Sequence, residues 1–68
     1  MVAKIKGWKK IDDRTWESEK RQIFIHEFQG MEVLQIWFQG TMSRSLNFDS
    51  LSDAKKYAIE YMRLHPNG

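Results

Sequence analysis

Sixty-eight residues with a formal net charge of +2 make one domain with room for a single small core. With no Cys, a disulfide framework and a cysteine-based zinc site are excluded, and a reducing, cytoplasmic setting is the expectation. No apolar run approaches the length of a membrane span, and no apolar stretch of signal-peptide length follows Met1–Lys6, so no membrane partner is expected.

The charge is uneven along the chain. Residues 1–21 hold seven Lys/Arg against four acids, residues 22–48 hold Arg44 against Glu27 and Glu32, and residues 49–68 balance. Attraction to a polyanion is therefore expected from the first third. Three Trp, four Phe and two Tyr supply large apolar area for so short a chain.

The first element is an imperfectly alternating strand, Lys4–Ile11, anchored by Trp8 and weakened at Gly7. Asp12-Asp13-Arg14 reads as a turn, because Asp bonds its own backbone. Thr15–Ser18 is a short strand led by β-branched and aromatic residues, with a further turn near Glu19-Lys20. Gln22–Phe28 is rich in strong β-formers. Gln29-Gly30 turns it into Met31–Phe38, and Gln39-Gly40 turns that into Thr41–Phe48.

The turn type at the two Phe-Gln-Gly sites decides which face becomes core. A two-residue type I′ turn needs positive φ at Gln as well as Gly and sets Glu27 opposite Glu32. A type I turn closed by Gly in the left-handed region needs positive φ only at Gly. The second reading fits the residues better and pairs Phe24 with Leu34, His26 with Glu32, Ile36 with Met42 and Leu34 with Arg44. It gives a core face of Phe24, Leu34, Ile36, Phe38, Met42, Leu46 and Phe48. The other face carries Ile23, Ile25, Val33, Gln35, Trp37, Ser43 and Ser45. A one-residue slip exchanges the two sets as a block.

Ser50 is an N-cap, with Asp53 completing a capping-box-like pair. Leu51, Ala54, Tyr57, Ala58, Tyr61 and Met62 recur at helical spacing, and Pro66 stops the helix near Arg63 or Leu64. Asn67-Gly68 is a tail. The expected fold is α+β: an antiparallel β-meander of three to five strands packed on one C-terminal α-helix, in a single domain over residues 1–68.

No arrangement points to catalysis or to a metal. His26 and His65 stand apart without ligand spacing, Asp12-Asp13 reads as a turn, and there is no Gly-rich phosphate loop. No enzyme, cofactor or small-molecule substrate is expected. The leading expectation is a non-enzymatic binding module for nucleic acid. Lys9, Lys10, Arg14, Arg21 and Arg44 would meet phosphates, and Trp8 and Trp37 would stack on bases. The alternative is a homodimer or protein-interaction module using Ile23, Ile25, Val33 and Trp37 on the uncovered sheet face.

The stretch Asn47-Phe48-Asp49-Ser50-Leu51-Ser52-Asp53-Ala54-Lys55-Lys56-Tyr57-Ala58 enters its helix through a step similar to a Phe-Asp/Lys-Thr-x-x-x-Ala-like junction. It resembles two families of three-strand-plus-helix DNA-binding modules: the arm-binding domains of tyrosine recombinases and the plant ethylene-response type domains. The resemblance covers about the last 20 residues and implies DNA contact through basic and aromatic residues on the exposed sheet face. The end of the chain, Met62-Arg63-Leu64-His65-Pro66-Asn67-Gly68, is also similar to that of small archaeal proteins, which implies no activity.

Overall fold

The computed structural model describes residues 5–66. Lys4 of the expected first strand and the Asn67-Gly68 tail lie outside the described residues. Among the described residues, five strands and one helix follow in order. These are β1 (Lys9–Asp12), β2 (Thr15–Glu17), β3 (Arg21–Phe28), β4 (Met31–Phe38), β5 (Thr41–Phe48) and α1 (Leu51–Leu64). The strands form one antiparallel sheet in the order β1-β2-β3-β4-β5, so the architecture is the expected α+β meander. Among the described residues there is no helix long and apolar enough to cross a membrane.

Strand β1 is shorter than expected because the chain turns just before it. Gly7 sits at φ 81°, and the Trp8 N–H donates to the Ile5 carbonyl at 3.1 Å. The Asp12 carboxylate accepts the Arg14 N–H at 2.8 Å, closing the β1–β2 turn as its composition suggests. Between β2 and β3 the Ser18 hydroxyl accepts the Arg21 N–H at 2.9 Å.

Both Gln-Gly turns are two-residue turns, which corrects the expected register. Gln29 and Gly30 have φ of 53° and 79°, and Gln39 and Gly40 have 50° and 84°. Both central residues are left-handed, as type I′ requires, and this turn matches the twist of the flanking strands. Phe28 therefore pairs with Met31, Glu27 with Glu32, Ile25 with Leu34 and Ile23 with Ile36. Each Gln pays about 1–2 kcal/mol for the left-handed region. In exchange, Ile23 and Ile25 turn inward and Phe24 outward, a net gain of one large side chain, about 1.5–3 kcal/mol. The repulsion expected of Glu27 and Glu32 is met by Arg14, whose Nη1 donates to Glu32 Oε1 at 2.7 Å.

A bulge does occur, but inside the β4–β5 pairing. Trp37 pairs with Met42 while Ile36 pairs with Arg44, so Ser43 is the extra residue. Its hydroxyl donates to the Ile36 carbonyl at 3.2 Å. The bulge resets the alternation of β5. Leu46 comes opposite Leu34 and Phe48 opposite Glu32, on the helix side, whereas Met42, between the turn and the bulge, stays opposite Trp37 on the far side. Leu46 and Phe48 thus lie on the expected face by a different route. Phe24 and Met42, expected in the core, face away from it. Phe38 stays on the helix side, at its rim, with the Arg21 guanidinium 4.8 Å from its ring centroid.

The core lies between the sheet and α1. It joins Trp8, Trp16, Ile23, Ile25, Leu34 and Ile36 to Ala54, Ala58 and Met62. The two Ala one turn apart let the helix sit close on the sheet, and Met62 fills the space at its far end. Ser50 caps the helix, its hydroxyl accepting the Asp53 N–H at 3.1 Å. At the other end the Trp8 Nε1–H donates to the His65 carbonyl at 2.8 Å, satisfying an acceptor at the helix end. The Trp8 ring also meets Tyr61 edge-on, with centroids 6.5 Å apart.

Candidate functional site: the open sheet face

Alternation along the strands places one set of side chains on the side away from α1. From β3 come Gln22, Phe24, His26 and Phe28; from β4 come Met31, Val33, Gln35 and Trp37; from β5 come Met42, Ser45 and Asn47. Strands β1 and β2 add Lys9, Asp12, Thr15 and Glu17 along one margin. No other element among the described residues covers this face.

The centre of the face is built by cross-strand neighbours. Phe24 lies between Thr15 and Gln35, and Trp37 lies between Gln22 and Met42. Phe24 and Trp37 are therefore diagonal neighbours, within reach of each other's rings. The Trp37 Nε1–H donates to Gln35 Oε1 at 3.2 Å, which ties the indole down along its own strand. Both rings remain partly exposed, and Met42 and Phe28 are exposed at 45% and 59%. A shallow depression of about 680 Å³, open to solvent, is lined by Asp12, Thr15, Phe24, His26, Gln35 and Trp37 among others.

The electrostatics of the face are unusual in one respect. Among the described residues, β3, β4 and β5 contribute no Asp, Glu, Lys or Arg to it; His26 is their one titratable group there. Charges of both signs stand around it: Lys9, Asp12 and Glu17 on the β1–β2 margin, and Asp13, Arg14, Lys20 and Arg21 in depressions at the rim.

The sequence-expected residues are dispersed. Trp8 is 5% exposed and spends its N–H on His65, so it is a core anchor and presents no ring to a base. Lys9 lies on the margin of the open face, and Lys10 is exposed and pairs with Asp13 at 3.4 Å. Arg14, Arg21 and Arg44 all sit on the helix side. Arg14 bonds Glu32, which raises its pKa above the ordinary arginine value, Arg21 covers Phe38, and Arg44 Nη1 donates to the Tyr57 hydroxyl at 2.6 Å. Of the expected nucleic-acid set, Trp37 and Lys9 stand on the open face, and Arg14 and Arg21 line depressions at its rim beside Trp37.

Of the alternative interface set, Ile23 and Ile25 are 0% and 3% exposed beneath the helix, a correction that follows from the type I′ turn. Val33 and Trp37 are on the open face as expected. Phe24, Phe28 and Met42 also stand there, Phe24 and Met42 in place of the expected core positions. The signal for Phe24 was available: setting Ile23 and Ile25 opposite Ile36 and Leu34 joins four aliphatic residues on one face. The shift of Met42 follows from the type I′ turn at Gln39-Gly40, which sets it opposite Trp37.

No group of three or more His, Asp or Glu side chains among the described residues is placed to hold a metal ion. Comparison with family models, curated proteins and solved structures returns no match.

Proposed function

We propose that this protein is a non-enzymatic docking module that binds a protein partner through the open sheet face. The observation that carries this reading is the composition of the face on β3–β5. Phe24, Trp37 and Met42 stand among Gln22, Gln35 and Asn47, without an ionised side chain. Interface cores are enriched in aromatic residues and Met and depleted of Lys, Glu and Asp. The partner surface is accordingly uncharged and apolar, with hydrogen-bonding groups for the amides. A photo-cross-linking residue in place of Gln35, in cells, should give discrete adducts, and the same residue in place of Lys56, on the outer side of α1, should not. Adducts from both positions alike, or from neither, would contradict the reading.

Nucleic acid is the second reading, favoured by the diagonal Phe24–Trp37 pair, since partly exposed rings on a sheet can stack on unpaired bases. Electrostatics weigh against it. On β3–β5 a strand laid across the face meets no cation; Lys9 stands on one margin, and Arg14, Lys20 and Arg21 line depressions at the rim. Each neutralised phosphate of a single strand adds about −0.7 to the slope of log affinity against log salt. Filter binding with single-stranded DNA at low salt tests it: a slope steeper than about −2 would favour nucleic acid over protein.

A further inference from the structure

We infer that the partner is a second copy of this chain, docked open face to open face about a two-fold axis; this rests on the docking reading above and names its occupant. Size supports it. Three strands of eight residues and two shorter ones present about 500 Å² per copy in projection at strand spacings of about 4.8 Å and rises of about 3.3 Å. Two copies together bury about 1,000 Å² or more, the lower bound of a specific interface.

Charge supports it as well. A surface that meets itself sets any charge near the axis against its own copy, and burying an unpaired charge is costly. The β3–β5 part of the face avoids both problems, because no Asp, Glu, Lys or Arg stands on it. On the β1–β2 margin Lys9 is accompanied by Asp12 and Glu17, so an axis perpendicular to the strands, which lays this margin over its own copy, offers opposite signs. Stacked sheets keep their strands within about 30° of one another, about 10 Å apart. At that spacing Phe24, Trp37 and Met42 interdigitate with the same residues of the other copy, as the inner faces of a two-sheet protein do.

Sedimentation velocity and native mass spectrometry of the full chain, from low micromolar to near-millimolar, test the inference. The expected result is a concentration-dependent species of twice 8.2 kDa. Gln35→Arg, which places like charges across the axis, should weaken the dimer by at least tenfold. Met42→Glu, at a position 45% exposed in the single chain, should do the same. Lys56→Glu on the outer side of α1 should leave it unchanged. Far-UV circular dichroism and the melting temperature establish that each variant is folded; if Gln35→Arg is not, Met42→Glu decides. A wild-type chain that stays monomeric overturns the inference, as does a dimer that both face variants leave intact, which would point to pairing along the outer edge of β5. Adducts from position 35 heavier or lighter than a dimer, with a monomeric purified chain, would leave the docking reading standing and remove the second copy.

Discussion

Ile23 lies directly across from Ile36 on neighbouring strands, and both are fully buried beneath α1. This pair fixes the register of the central hairpin, and with it the face on which Trp37 and Phe24 stand. Truncation separates the two registers. Ile23→Ala should cost about 2–5 kcal/mol, the range for a buried aliphatic. Phe24→Ala, on the open face, should cost the single chain less than half as much. Urea denaturation of both variants at a concentration where the wild type is monomeric measures this. The reverse order would restore the bulged register.

The turns can be tested without touching the core. Asn tolerates the left-handed region better than Gln, and Asn-Gly is the favoured type I′ pair. Gln29→Asn and Gln39→Asn should each stabilise the fold by up to about 1 kcal/mol. Gly30→Ala should destabilise it by about 1–2 kcal/mol. A Cβ there meets nothing within 4 Å, so the whole penalty comes from φ +79°. A neutral Gly30→Ala would mean that the turn is not type I′.

These residues also mark how far the sequence could be read. The strands after Asp12, the cap at Ser50 and the end of α1 follow from turn formers, β-branched runs, a hydroxyl before an apolar stripe and a proline. All of these are local signals. The register was not local: Gln is a poor left-handed residue, and its cost is outweighed only by what Ile23 and Ile25 gain against the helix. The type I′ turns set Phe24 and Met42 on the far face, and the bulge at Ser43, which returns Leu46 and Phe48 to the helix side, has no residue signature. Trp8 was legible as an anchor or as a stacking ring, and its partner His65 is 57 residues away. The basic residues follow the same logic. Their number was plain in the sequence, whereas the commitment of Arg14 to Glu32 and of Arg44 to Tyr57 depends on how the strands and helix meet.

The Trp8–His65 bond should contribute measurably to stability. Trp8→Phe keeps an aromatic ring against Tyr61 but removes the Nε1–H donor, leaving a carbonyl at the helix end without it. The expected loss is about 1–3 kcal/mol. In a domain of this size each kcal/mol lowers the melting temperature by about 4–8 °C. A thermal melt of Trp8→Phe unchanged from wild type would show the bond to be energetically idle.

Arg14 holds apart two carboxylates that the hairpin sets face to face. The pair with Glu32 is partly exposed, with side-chain exposures of 39% and 15%, so solvent screens it. Arg14→Gln should destabilise by more than the loss of an exposed pair alone, because Glu27 and Glu32 then repel without this cation to offset them. Adding Glu27→Gln should restore most of the loss, and raising the salt concentration should shrink it. Denaturation of the four members of this cycle at two salt concentrations provides the check. A purely additive cycle would contradict the arrangement.

The most direct test of the open face uses the three tryptophans themselves. Trp8 and Trp16 are buried in the core, and Trp37 is partly exposed on the face away from the helix. In a ¹⁵N-labelled sample each gives one indole N–H resonance, assigned by single Trp→Phe variants. On raising the concentration of the wild-type chain, the Trp37 resonance should shift or broaden while those of Trp8 and Trp16 stay in place. A Trp37 resonance that does not move, or a change confined to Trp8 or Trp16, would contradict docking of a second copy on this face.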